Sequence, residues 1–269
     1  MYNMIERCSG GLKLCRALTL LRSRTDELGG LDMNTVNLPF YYRLLTPGEQ
    51  VIYNQILVSL TAYKGRIMFD SPQHWATVKR IVDSLHLDRP AELFHVHFTR
   101  YELMKRGGDI VGVNFQMLCD QTMIDEIRHE LKRITKTLHK RLQKINRIEE
   151  KFLEIVQFVA STTSYRKSGN FFTDHTLAGP VICEAVCEGL AMYFQYLCEG
   201  EGLKACIVFG TKGGGVKPNH AWNKVYLGSQ IRYVDMTTCL RSKRITGSVF
   251  RTKEELLNEG YVFSHYLSS

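Results

Sequence analysis

Two cysteines four residues apart, Cys183 and Cys187, precede Gly189 and a helix-forming run in VICEAVCEGLAMYF (181–194). Four residues is one helical turn, which would put both thiols on one helix face. Such a pair suits half of a metal site, a redox couple, or one nucleophile beside a bystander. Two further residues bear on the choice. His220 opens HAWNKVYL after the Gly-rich loop TKGGGVKPN, and Asp235 follows RYV. GSQ (228–230) reads as the turn of an antiparallel hairpin. Positions 220 and 235 are nearly symmetric about that turn, so the imidazole and the carboxylate are expected to be cross-strand neighbours. A carboxylate on one ring nitrogen leaves the other free to act as a base. A cysteine at a helix N-terminus has unpaired N–H groups and the helix dipole beside it, which favour a thiolate and an adjacent oxyanion. Gly189 would let a backbone or a substrate approach. Cys187, His220 and Asp235 therefore read as nucleophile, base and orienter. Trp222, on the same strand as His220, is expected either to wall the cleft or to fill the core.

The elements that must position these groups follow from local patterns. The helix EAVCEGLAMYFQYLCEG (184–200) is expected to pack on strands at 204–210, 220–227 and 231–236. Upstream, Thr46, Pro47 and Glu49 form a capping box before a helix with Ile52, Ile56, Leu60 and Tyr63 on one stripe. Ser71 and Pro72 repeat the pattern for Trp75, Val78, Val82 and Leu85. Period-two runs around Gly107-Gly108 predict a β-hairpin. His95 and His97 alternate there with apolar residues, which predicts a solvated or hydrogen-bonded strand face more than a metal site. Thr122 and Asp125 cap a helix whose apolar positions run from Ile127 to Ile155, about eight turns at 3.6 residues per turn. The stretch 164–180 reads as a loop, and 241–269 as a short helix and a final edge strand.

Composition bounds the rest. Hydrophobic residues make up 44% and charged residues 23% of 269, values of a globular protein with a sizeable core. The net charge is +8, and 128–147 holds eight Lys or Arg against one Glu. That run reads either as a solvated helix face or as a contact surface for an anionic polymer, and the absence of a nucleic-acid motif alongside favours the first. Eight unevenly spread cysteines do not suggest a disulfide scaffold. Cys119, Cys198 and Cys206 read as small core residues. No run is long enough to span a membrane, and the first residues make a poor secretory signal, so a cytoplasmic protein is expected. LKLCRALTLLRSR near the start suggests a short amphipathic helix.

The motifs CEGLA (187–191), NHAWN (219–223) and YVDMT (233–237) resemble the three signatures of the transglutaminase-like superfamily of papain-fold cysteine enzymes. The likeness extends over about 45–240, with TPGEQVIYNQIL, LDRPAELFHV and SYRKSGNFFTDHTLAGP similar to segments of bacterial members. It implies an α+β fold with a papain-like, transglutaminase-like core in which a helix packs on an antiparallel sheet. It selects Cys187 over Cys183, because the family's thiol directly precedes the E-G-x-A stretch. It suggests Tyr165 as an oxyanion-stabilising side chain, beside Gly189 and Trp222 as substrate-side candidates. The chain departs from the family after Asp235: DMTTCLRSKR lacks the Trp or acidic residues common there.

The expected organisation is an extension at 1–40, a mainly helical region with a hairpin at 41–145, and the catalytic core at 146–269. The expected function is cysteine-dependent acyl transfer, with a thioester on Cys187 formed from a protein or peptide substrate and resolved by water. A protein-crosslinking transglutaminase or a non-catalytic binding module on the same fold are the alternatives. No cofactor or nucleic acid is expected. A metal site on Cys183, Cys187, His220 and Cys239 lacks a second close thiol pair. The glycines at 213–215 lack a phosphate-loop context and suggest a lip over the cleft.

Overall fold

The structure, a computed structural model, describes residues 38–214, 219–242 and 245–264. The helix expected near the chain start, the middle of the Gly-rich loop and the last five residues lie outside them.

A 3₁₀ turn at Tyr42–Leu44 leads into α1 (Pro47–Thr61), β1 (Arg66–Gln73), α2 (Trp75–Asp88), the single turn α3 (Pro90–Leu93), β2 (Val96–Arg106) and β3 (Asp109–Met117). The capping box of α1 forms as its sequence requires, with Thr46 and Glu49 each bonding the other's backbone N–H. Ile56 and Leu60 are buried beneath it, whereas Tyr63 lies past its end and is exposed. The β2–β3 hairpin turns at Gly107-Gly108, pairing Arg106 with Asp109.

Ser71 and Pro72 do not start a helix. They end an antiparallel strand that pairs with β3 in the order β1-β3-β2. Ile67 and Phe69 face inward, and Pro72 sits where the register slips on this edge strand, a place where a missing N–H costs no ladder bond. The helix begins instead at Trp75, with His74 Nδ1 accepting from Ala76 N. Trp75 is exposed, while Val78, Ile81, Val82 and Leu85 carry the buried stripe. These elements close over an apolar core built around Tyr53, Leu60, Ile81 and Val113.

The long helix is two: α4 (Gln121–Leu142) and α5 (Ile148–Thr162). Asp120 rather than Thr122 caps α4, accepting from Met123 N. The apolar stripe survives the break because both helices bury their faces in one core, which includes Leu131, Leu138, Phe152 and Ile155. The break carries a charge signature. His139, Lys140 and Arg141 close α4, and Glu149 and Glu150 open α5, each the favourable sign for its helix end. The basic run is partly paired, through Arg133–Glu130, Arg141–Glu154 and Arg147–Glu150.

The remainder is β4 (Ser164–Tyr165), α6 (Phe171–His175), α7 (Ala178–Val181), β5 (Glu184–Ala185), α8 (Cys187–Gly200), β6 (Ala205–Lys212), β7 (His220–Leu227), β8 (Gln230–Val234), α9 (Met236–Arg241), α10 (Lys253–Asn258) and β9 (Tyr261–Phe263). The stretch 164–180 thus holds two short helices, not a loop alone. Strands β8-β7-β6-β9 form an antiparallel sheet, with the C-terminal strand at one edge. Helix α8 packs on β6 and β7, which is the α+β arrangement of helix on antiparallel sheet. Gly210 makes the edge possible: a Cβ there would lie 2.0 Å from Val262 O and 2.6 Å from the Trp222 ring. Among the described residues no helix is long and apolar enough to cross a membrane.

Candidate active site

Cys187 is the first residue of α8. Val186 before it is extended and offers no side-chain cap, so side chains leave the first-turn N–H groups uncovered. Helix α8 is anchored from below. The Asn223 amide donates to Ala191 O at 2.9 Å, tying β7 to the helix one turn past the thiol. Gln195, 2% exposed, donates to Leu87 O at 3.2 Å and accepts from Ile207 N at 3.0 Å, tying the helix to α2 and β6.

His220 opens β7 opposite Gly210. Its Nε2 lies 2.9 Å from Asp235 Oδ2. The route to this contact differs from the expected one. The hairpin pairs Leu227 with Gln230 and Asn223 with Val234, two residues away from the register that would oppose 220 and 235. Asp235 is past the ladder, at the N-cap of α9, where its Oδ1 accepts from Thr237 N and Thr238 N. That cap aims Oδ2 back at the imidazole. Oδ2 also accepts from Thr238 Oγ1 at 2.8 Å, Tyr261 OH at 2.5 Å and Lys212 Nζ at 3.2 Å.

The Cys187 thiol acts on the same ring. Burial alone would depress the His220 imidazole, but hydrogen bonds to Asp235 and Cys187 and their charges outweigh it and push the pKa up to about 9. Burial would raise the Asp235 carboxyl, yet the bonds from His220, Tyr261 and Thr238 and the imidazolium charge hold it far below the usual carboxylate range. With Nε2 on the carboxylate, Nδ1 is the nitrogen left for the thiol. The three residues singled out in the sequence are therefore brought together.

The other candidates divide. Tyr165 is exposed on β4, which pairs in parallel with β5 just before Cys187. Partial burial raises its phenol, as does the neighbouring Cys187, and the Arg241 guanidinium lies over its ring at 5.8 Å. Trp222 is fully buried and does not line a cleft. It packs edge-on against Tyr261 and Phe263 and lies 5.9 Å from the His220 ring, so it supports the imidazole from within the core. Gly189 is buried against backbone, not open to a substrate. A Cβ there would meet Ala185 Cβ at 2.9 Å and the carbonyl oxygens of Asp174 and Thr176 at 3.0 Å. Cys183 lies outside α8, exposed and with φ of 72°, so the two thiols do not share a helix face. Cys239 is buried on α9, and among the described residues no three His, Cys, Asp or Glu side chains gather as a metal site. Cys198 and Cys206 are buried. Gly213 and Gly214, before the loop residues outside the described set, adopt left-handed φ of 80° and 81°.

His95 and His97 are buried, not solvated. His95 Nε2 pairs with Leu60 O at 3.2 Å, and burial drives its pKa down to about 4. His97 stacks on Phe171 with centroids 3.8 Å apart.

Two groups escaped sequence reasoning. Glu188, beside the thiol, is gripped by His86 Nε2 at 2.6 Å and His175 Nδ1 at 2.7 Å. Burial would raise its carboxyl, but the two imidazoles hold it near 2. The bond to Glu188 raises His175. Glu188 could have been suspected from its place beside Cys187, but its partners lie 102 and 13 residues away. Lys212 and Tyr261 around Asp235 are the second group, and their spacing carries no signal.

Residues 129–238 match the family model of the transglutaminase-like superfamily. The match covers 110 of the 269 residues. The matched stretch holds Cys187, His220 and Asp235, and it ends before Tyr261. No curated protein matches the chain. Similar solved structures include a TGase, at 16% identity over 70% of this chain and 55% of that one, with a TM-score of 0.38. A candidate cysteine protease from Cytophaga hutchinsonii is 18% identical over 61% of this chain and 65% of its own, with a TM-score of 0.36. A candidate protease from Parabacteroides distasonis is 10% identical over 49% and 32%, with a TM-score of 0.30. The chain thus spans less than two thirds of each of these structures.

Proposed function

We propose that the protein is a cysteine-dependent acyl-transfer enzyme that hydrolyses peptide or amide bonds, with Cys187 as nucleophile, His220 as acid and base, and Asp235 as orienter. The observation that carries this reading is a single imidazole held by a buried carboxylate through Nε2 while it interacts with a thiol at a helix N-terminus. Attack by Cys187 Sγ on the substrate carbonyl passes the thiol proton to His220 Nδ1. As the C–N bond breaks, the imidazolium returns that proton to the leaving amine. Water then attacks the thioester, gives a proton to His220, and the C–S bond breaks to release a carboxylic acid and restore the thiol. The developing oxyanion falls to the first-turn N–H of Cys187, with the Tyr165 hydroxyl as a second donor.

Alkylation by iodoacetamide, read site by site with mass spectrometry, tests this. At pH 6, where an ordinary thiol of pKa about 8.5 is nearly all protonated, Cys187 is expected to react at least about tenfold faster than exposed Cys183. His220→Ala should remove the difference. Equal rates for the two cysteines in the unmodified protein would sink the proposal.

A further inference from the structure

We infer that Lys212 and Tyr261 are positioning residues that act on His220 through the oxygen of Asp235 they share with it. Four side-chain donors converge on Oδ2: His220 Nε2 at 2.9 Å, Thr238 Oγ1 at 2.8 Å, Tyr261 OH at 2.5 Å and Lys212 Nζ at 3.2 Å. One oxygen has two lone pairs, so these donors compete, and each one bound takes charge density from the others. Lys212 is held where it competes best. Its Nζ also bonds Thr238 Oγ1 at 3.1 Å and the Tyr261 hydroxyl at 2.5 Å, and it lies 4.4 Å from the Tyr261 ring centre. The Lys212 side chain is 37% exposed, while Asp235 is 5% exposed, so water screens the cation in part and the carboxylate little.

Both residues arrive from outside the three motifs. Lys212 ends β6, and Tyr261 opens β9, beyond the matched stretch 129–238. The C-terminal edge strand thereby finishes the pocket of the orienting carboxylate. Tyr261 is 1% exposed and wedged against Trp222, so its hydroxyl has little freedom to turn elsewhere.

The consequence is electrostatic. A carboxylate shared with an ammonium and a phenol stabilises an imidazolium less than an unshared one does. The other titratable groups facing the site are Cys187 against His220, Tyr165 beside Cys187 with Arg241 over its ring, and Cys239 behind Asp235, itself near Arg251. None of them binds Oδ2.

The inference rests on the acyl-transfer reading for its functional meaning, so its test has a readout independent of turnover. The His220 imidazole is titrated by NMR in the full chain and in Lys212→Met, Lys212→Arg and Tyr261→Phe. Lys212→Met should raise the His220 midpoint by about half a pH unit or more, a Coulomb effect of a unit charge a few ångströms away in a partly screened site. Tyr261→Phe should raise it by less, and Lys212→Arg should keep it near the starting value. Midpoints in Lys212→Met and Tyr261→Phe that stay put or fall would overturn the inference. Should Cys187 prove unreactive while the midpoints move as stated, the acyl-transfer reading fails and the positioning role stands.

Discussion

Around Asp235 and His220 the two charges determine when the pair is strong. The folded imidazole titrates near 9, against about 6.5 in the unfolded chain. Its contribution to stability is therefore complete below pH about 6.5 and is lost as pH rises through 9. The Asp235 carboxyl is depressed, so its contribution is present above its unfolded pKa of about 3.9 and is lost as pH falls through the folded value. The pair is strongest between pH about 4 and 6.5. Its loss on going to pH 9.5 is expected to cost about 2–3 kcal/mol in urea unfolding, and Asp235→Asn should flatten that decline. An unchanged slope in the variant would show that the pair does not govern it. The identities of Cys187, His220 and Asp235 were legible because each stands in a short motif. Gly189 and Trp222 were legible only as types. A glycine beside a nucleophile serves a substrate or a neighbouring backbone equally well until the carbonyls of Asp174 and Thr176 are seen against it.

At the scale of elements, the helix that carries Cys187 is tied down at its first turn. Glu188 sits in the first turn of α8, where a carboxylate complements the helix dipole, and it receives His86 from α2 and His175 from α6. The grip holds above the unfolded carboxyl pKa of about 4.3 and weakens toward 2; it also weakens as pH rises through the raised pKa of His175. Glu188→Ala should speed hydrogen exchange of the first-turn amides of α8 about tenfold at pH 6 and slow Cys187 alkylation with it. Unaltered exchange would show that the turn is held by packing alone. A helix with a strong start signal, such as the capping box of α1, was readable. The α4–α5 break was missed because apolar periodicity is blind to a turn that returns the chain to the same core. The reversal of charge from Lys140 and Arg141 to Glu149 and Glu150 marked it.

Across the whole molecule, one apolar core is built within 45–115, a second mostly from the later elements with Tyr41, Leu87 and Phe94 reaching into it, and a third, smaller one around Trp222 in the sheet. They are stitched by polar groups. Asp88 at the end of α2 accepts from Tyr41 N and Tyr42 N, the Tyr41 hydroxyl bonds Ile207 O, and Gln195 spans Leu87 and Ile207. Removing one partner of such a buried pair leaves the other unsatisfied in the folded chain. The two tryptophans report on the two parts, Trp75 on α2 and Trp222 in the sheet. Unfolding followed by Trp222 fluorescence in Trp75→Phe and by Trp75 fluorescence in Trp222→Phe should each coincide with its variant's own far-UV transition. Gln195→Leu should lower stability by about 2–3 kcal/mol, since it strands a buried carbonyl and a buried N–H. Separate midpoints for the two probes within their variants would show that the stitching does not couple the cores.

The sequence by itself picked out Cys187, His220 and Asp235, the helix-on-sheet class and the antiparallel hairpin, because each is encoded by neighbours within a few residues. The tertiary structure decided how they meet. The hairpin register is set by the Gly228 turn and by core packing, and it carries Asp235 past the ladder to a helix cap that aims it at His220. Lys212, Tyr261, His86 and His175 join the site from 23, 26, 102 and 13 residues away from the carboxylates they bind. Contacts at such separations leave no periodic trace in a chain; they exist only once its apolar faces have been buried.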